Sequence, residues 1–264
     1  MIGTSLSIVL VILLVAALWQ LRHYRAKFEQ TGLVRAWPIE KVSAGAIDPS
    51  LAPGELGPPV GAETYFLPEL NVLGGIGDFE TWVLSAVAKQ ATCIFEFGTC
   101  TGKTTYLLAR NAPVDAEVIT LTLPPDQRET YVDGVGDARG DRLAALKESA
   151  FSAFYYQGTA VETRVTQLFA DSKTFDETPY LGKCDLIFID GAHAASYVES
   201  DSRKALRMVK PGGLIFWHDY RGPGRSPGVY RTLNMLAKTM PLRHVAKTSL
   251  VFMRAGHPLS NQGG

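Results

Sequence analysis

Four side chains able to do acid–base or ligand chemistry fall close together in the second half of the chain. Asp190 and His193 belong to Ile189-Asp190-Gly191-Ala192-His193, and His218 and Asp219 belong to Trp217-His218-Asp219-Tyr220. Asp190 ends a strand-like run over residues 184–190, and Asp219 lies just past another over 214–218. Both carboxylates should therefore reach the same carboxyl edge of a parallel sheet. Two carboxylates converging there suit a hard divalent ion such as Mg²⁺. The plainer role for Asp190 is to cap the turn that follows it. His193 stands in the loop over the same edge, and with an ordinary pKa near 6.5 it can take a proton around neutral pH. It is the first choice as general base. His218 is the second, with the alternative that its side chain points to the other face of its strand. Either could also be a hydrogen-bonded structural histidine.

A second constellation lies upstream, in Glu96-Phe97-Gly98-Thr99-Cys100-Thr101-Gly102-Lys103-Thr104. The β-branched and aromatic run over 92–97 predicts a buried strand, the two glycines a tight turn, and residues 104–110 a helix. A strand–glycine–helix joint early in an α/β domain is by default a nucleotide-type site. Three such sites compete. A phosphate-binding Gly-x-x-x-x-Gly-Lys-Thr loop needs four residues between its glycines, and here Thr99, Cys100 and Thr101 are only three. A Gly-x-Gly-x-x-Gly dinucleotide turn has a cysteine at its middle position. The third is Glu-x-Gly-x-x-x-Gly, with an acid two residues before the turn.

These residues need a scaffold, and the patterning supplies one. Helical spacing over 76–89 precedes the organising strand. Further strands are expected over 117–123, 164–169, 184–190 and 214–218, with helices over 141–151, 196–209 and 229–239. Lys210-Pro211-Gly212-Gly213 should break the helix over 196–209. Residues 242–246 and 249–254 are close enough to form an antiparallel hairpin across Lys247-Thr248. Strands alternating with helices imply an α/β fold, a mostly parallel sheet with helices on both faces. Loops at its carboxyl edge, 126–158 and 221–228, should form much of any acceptor pocket.

The glycine loop, Asp171-Ser172, Ile-Asp-Gly-Ala-His at 189–193, Tyr-Val-x-x-Asp at 197–201, Pro-Gly-Gly at 211–213 and His-Asp-Tyr at 218–220 form a series over residues 79–251. The series resembles one subgroup of the class I S-adenosylmethionine (SAM)-dependent methyltransferases, related to the metal-dependent catechol-type O-methyltransferases. The resemblance implies a Rossmann-like seven-stranded sheet with one reversed strand at its end. It implies SAM as cofactor. Gly98 and Gly102 would pass under its methionine part, within a loop that includes Thr99 and Thr101. Glu96 would lie near its ammonium, and Asp171 and Ser172 at the adenine, with Asp190 at the shared edge. It implies Mg²⁺ or another divalent cation on Asp190 and Asp219, although the amide usually found next to the second aspartate is replaced by Tyr220. It also implies methyl transfer to a hydroxyl oxygen. One position departs from the pattern: Thr122 stands where an acid usually holds the ribose hydroxyls. Replacing a charge-assisted contact by a neutral one would weaken the cofactor by on the order of 1 kcal/mol. The rival reading is a catalytically inactive, methyltransferase-like binding or scaffold domain.

Composition bounds the rest. The chain has 264 residues with 26 basic and 26 acidic side chains, which gives no sign of a nucleic-acid partner. Its three cysteines, with no Cys-x-x-Cys spacing, read as reduced thiols. Residues 2–21 carry no charge and span roughly 30 Å as a helix. Arg22, His23, Arg25 and Lys27 follow directly. This predicts an N-terminal transmembrane anchor over 1–30, single-pass, with the catalytic domain on the cytoplasmic side. The alternative is a cleaved signal peptide. A Pro/Gly-rich linker is expected over 31–60, the folded domain over 61–256 and a disordered tail over 257–264. The acceptor would be a small molecule or membrane-associated.

Overall fold

The computed structural model describes residues 11–20, 38–70 and 72–256, except for the side chain of Arg139. Residues 11–20 form helix α1 with exposed side chains. The remainder of the apolar stretch, its basic flank and the tail lie outside the described residues. Among the described residues, which include only 11–20 of the stretch expected to span a membrane, no helix is long and apolar enough to cross one.

The strands are β1 (Glu40–Val42), β2 (Cys93–Phe97), β3 (Glu117–Thr122), β4 (Val165–Phe169), β5 (Cys184–Ile189), β6 (Val209–Trp217), β7 (Arg243–Val245) and β8 (Val251–Arg254). They form one sheet of eight, in the order β1-β7-β8-β6-β5-β2-β3-β4. Only β8 is reversed, antiparallel to both β6 and β7. The chain enters the sheet's centre at β2, runs outward through β3 and β4, then returns to β5 and β6 on the other side. The join between β2 and β5 is thus a topological switch point, where a crevice opens beyond the strand ends.

Strand residues alternate between two cores, as the pleat requires. Ile94, Val118, Leu186, Phe188, Leu214 and Phe216 face α2 (Asp78–Ala88) and α3 (Lys103–Asn111). Phe95, Phe97, Ile119, Ile187, Ile215 and Trp217 face α5 (Ala195–Met208) and α6 (Pro227–Leu236). Both faces are covered, which explains why β2, β3 and β5 read as nearly unbroken apolar runs. Helix α4 (Arg139–Glu148) packs Ala145 and Leu146 near Tyr131 and Tyr197 above the carboxyl edge.

Two expectations need correction. The sheet has eight strands, not seven. The additional strand, β1, lies in the stretch expected to be a linker, and it pairs in parallel with β7, Lys41 opposite His244. Ile39, Ala44, Ile47 and Leu51 around it are buried, so residues 39–51 of this stretch pack on the domain. Second, the helix before Lys210-Pro211-Gly212-Gly213 does end, at Met208, but β6 starts at Val209, earlier than the strand expected over 214–218. Cys184 faces Val209 while Leu186 faces Leu214, so the four residues form a bulge inside β6. Gly212 takes φ +81° there, a conformation that costs glycine little.

Ile39 is 2% exposed. Replacing it with alanine should lower the urea-unfolding free energy by about 2–5 kcal/mol, the cost of emptying a core position. A change within about 0.5 kcal/mol would instead mark a surface or linker residue.

Candidate active site

The cleft at the β2–β5 crevice is lined by Gly98, Thr122, Asp171, Ser172, Asp190 and Glu148, among others. The glycine loop forms one wall. Gly98 has φ +101°, and a Cβ there would fall on the Asp190 carbonyl oxygen. The Gly98 backbone can lie this close to β5 only because it has no side chain. Gly102, at φ +75°, sits at the N-terminus of α3, and Cys100 between them also takes a left-handed φ of +44°.

Beneath this loop lies Glu96, fully buried. Its Oε2 accepts hydrogen bonds from Thr105 and, at 2.7 Å, from Thr120, while Oε1 has no partner among the described residues. Burial pushes this carboxyl up to about 8, against the pull of the two threonines. Glu96 is a support under the loop; it is not part of the cleft wall. Thr99 likewise turns away from the cleft, to Thr120 at 2.8 Å and Gln167 at 3.1 Å. The Thr101 carbonyl accepts from the Tyr155 amide at 2.8 Å. Of the expected loop residues, Gly98 lines the cleft and Gly102 shapes its turn.

Thr122, Asp171 and Ser172 do face the cleft. Asp171 is tied down on both oxygens: Oδ1 accepts from the Lys173 amide at 2.9 Å and Oδ2 from the Tyr197 hydroxyl at 3.0 Å. Asp201 stands inside α5, where a residue of its type would ordinarily cap or pair locally. It instead lines the cleft, buried, with Oδ1 unpartnered among the described residues, and burial pushes its pKa up to about 7.

At the other end of the cleft, Asp190, His193 and Asp219 converge, their ligand atoms within 4.8 Å of one another. Asp219 takes φ +61°, strained for a residue with a side chain. His193 Nε2 lies 2.5 Å from Asp219 Oδ2. Burial pulls His193 down, but the bond to Asp219 and the charges of Asp219, Glu148 and Asp190 outweigh it and push it up to about 9. Asp219, opposed by burial, is held far below the carboxylate range by His193, His218 and Arg221, whose Nε is 2.8 Å away.

His218 is buried and has no open nitrogen. Nδ1 lies 2.8 Å from Asp190 Oδ1, and Nε2 lies 3.1 Å from Glu80 Oε2. Burial opposes protonation, but Asp190 and Glu80 overcome it and raise His218 well above its ordinary value. Its expected role as an alternative base therefore fails, because both nitrogens donate to carboxylates. Glu80 also accepts from the Gly77 amide at 3.0 Å and from Ser249 through N and Oγ. Against the cost of burial, the bond and charge of His218 and then the Ser249 donors lower its pKa to about 2.

Sequence reasoning missed Glu80, Glu148 and Arg221. Gly77-x-x-Glu80 has the spacing of a helix-start motif, and Arg221 follows Asp219 closely. Nothing in the sequence marked Glu148, which α4 delivers to the cleft and which burial pushes up to about 7.

Residues 95–220 match a family model described as a methyltransferase domain. The resemblance to the methyltransferases therefore holds for this stretch, a little under half of the chain. Solved methyltransferases have a similar fold. The O-methyltransferase TomG from Streptomyces achromogenes is 22% identical at a TM-score of 0.45, over 71% of this chain and 84% of that one. Podospora anserina PaMTH1 is 15% identical at 0.49, over 70% and 81%. A Thermotoga maritima O-methyltransferase is 16% identical at 0.46, over 72% and 69%. No curated protein matches. The family match begins inside β2 and ends past Asp219, so it spans the whole methyltransferase cleft from the glycine loop to the Asp190–His193–Asp219 cluster.

The Glu96 pKa gives a pH test. Its folded value, about 8, exceeds the unfolded 4.5. The folded state therefore holds the proton longer, and stability falls as pH rises between those values. Glu96→Gln removes this penalty. In the ligand-free protein the variant should gain at least about 1 kcal/mol relative to wild type on going from pH 5 to pH 8. Parallel stability–pH curves would show that Glu96 is ionised at neutral pH.

Proposed function

We propose that the protein moves the methyl group of SAM to a hydroxyl oxygen of its acceptor. The observation that carries this reading is a single cleft that joins the glycine cradle at Gly98 to the acid–base cluster at Asp190. The cofactor fits the residues present. The Gly98 backbone leaves a surface that a Cβ would fill, and Thr122, Asp171 and Ser172 line the far end for the nucleoside. SAM supplies an activated methyl on a sulfonium.

The rest of the chemistry falls to this chain. With the cofactor bound beside Gly98 and its methyl offered to the acceptor oxygen, His193 in its neutral form takes the hydroxyl proton. Asp219 holds the imidazole and stabilises the imidazolium that forms, the usual division of labour in an Asp–His pair. Asp190 is fixed by His218, and Glu148 adds negative charge to the same wall.

A second reading comes from the same cluster. Asp190, His193 and Asp219 are close enough to ligate one divalent ion, which would polarise the acceptor hydroxyl. Against it, each carboxylate already faces a cation: His218 for Asp190, and Arg221 with His193 for Asp219. An ion would have to displace the proton on His193.

The uncharged stretch at 2–21 and the basic Arg22, Arg25 and Lys27 after it are the grounds for attachment to a membrane with the domain on the cytoplasmic side, where SAM is made. A C-terminal reporter that behaves as cytoplasmic would agree, and external protease that digests the domain in intact cells would exclude it.

Calorimetry with S-adenosylhomocysteine (SAH) should give saturable binding, and Thr122→Asp should tighten it by roughly fivefold through a charge-assisted ribose contact. No heat at millimolar SAH would leave the inactive-scaffold alternative. With an acceptor in hand, kcat/KM should climb as pH rises toward about 9, where His193 loses its proton, and His193→Gln should flatten that limb. Activity lost in EDTA and restored by Mg²⁺ would select the ion reading instead.

A further inference from the structure

A second, wider cavity opens beside the Asp190–His193–Asp219 cluster. Its walls come from three regions distant in sequence: Lys41 of β1, Arg221 and Arg225 after β6, and Lys247 in the β7–β8 turn, with Glu80 and Ser249 also lining it. All four cations are exposed. The acids that line it are Asp78 and Glu80. Glu80 is matched by His218, and Asp78 Oδ1 accepts from the Glu69 amide at 3.0 Å. The side chains of Arg225 and Lys247 have no hydrogen bond or ion pair among the described residues. Arg221 spends only Nε, on Asp219.

Backbone strain marks the same place. Among the described residues, three that are not glycine take a left-handed φ: Cys100, Asp219 and Lys247 at +68°. The first lies in the glycine loop and the second in the acid–base cluster. The third points into this cavity wall, where residues held in costly conformations tend to gather at binding sites. Arg225 and Lys247, on separate segments of one concavity and without an acidic partner among the described residues, favour an anion between them.

We propose that this cavity binds an anionic group, a phosphate or carboxylate, carried by the methyl acceptor. Arg221 then links the anion site to the carboxylate that holds His193. The assignment of the anion to an acceptor rests on the methyltransferase reading, whereas the anion site itself does not. The group could belong to a soluble metabolite or to a lipid headgroup, and both would meet the same cations.

The probe is inorganic phosphate, titrated into the full-length protein at constant ionic strength held with chloride and followed by 31P line broadening and melting temperature. A second arm measures co-sedimentation with phosphatidylcholine vesicles with and without phosphatidic acid. Saturable phosphate binding, weakened about tenfold or more in Arg225→Gln/Lys247→Gln, is expected for a soluble source. Binding only to the phosphatidic acid vesicles, lost in the same variant, supports a lipid source. No preference for phosphate over chloride together with no vesicle binding overturns the proposal. Equal binding by wild type and variant also overturns it. SAH titration of the same samples keeps the two readings apart. SAH binding without phosphate or vesicle binding removes the anion site alone. Phosphate binding without SAH binding removes the methyltransferase reading and leaves the site.

Discussion

The carboxyl edge of this sheet depends on one buried imidazolium. His218 sits between Glu80 of α2 and Asp190 of β5, with a carboxylate on each nitrogen. Three groups that would each be costly to bury alone are tolerable together, because the central charge answers both neighbours. The same contact ties the helix before the glycine loop to the strand after it. Glu80 extends the tie to the β7–β8 hairpin through Ser249. Asp190 is thereby held at the mouth of the cleft, and Asp219, strained at φ +61°, is left to hold His193. Removing His218 would leave two buried carboxylates without their counter-charge.

The other half of the cleft follows a different principle: close approach of backbone. Gly98 lies against the Asp190 carbonyl, so the glycine loop and the acid–base cluster share one wall. Glu96 beneath the loop is kept uncharged by burial, against the pull of two threonine hydroxyls, and supports the turn from below. A neutral cradle thus adjoins a cluster of paired charges. That division suits a reaction in which a cation is consumed at one end and a proton removed at the other.

Most of the fold was legible because both faces of the sheet are covered. Burial on both sides forces long β-branched and aromatic runs at β2, β3 and β5, and these stand out against helix spacing. The three residues of β1 did not stand out. Glu-Lys-Val on an edge strand needs no apolar run, and its register is set by β7, far away in sequence. The bulge at 210–213 was hidden for a similar reason, since Pro-Gly-Gly normally ends an element and only pairing with β5 shows that the strand resumes. In the site, Asp190, His193 and Asp219 could be placed from their positions after strands. The orientation of His218 could not be fixed from the motif, although Phe216 and Trp217 alternate between the two cores and put the next residue on the α2 face. Glu148 depends on the path of α4 across the edge, which local sequence does not encode. The basic cavity likewise draws Lys41, Arg225 and Lys247 from segments that only the assembled sheet brings together.

The imidazolium clamp is open to direct observation by nitrogen-15 NMR of the histidine side chains across pH 6 to 10. His218 should remain doubly protonated at neutral pH and above, while His193 should lose its proton near pH 9. A neutral His218 tautomer at pH 7, with His193 titrating near its ordinary 6.5, would contradict the charge arrangement on which the whole site is built.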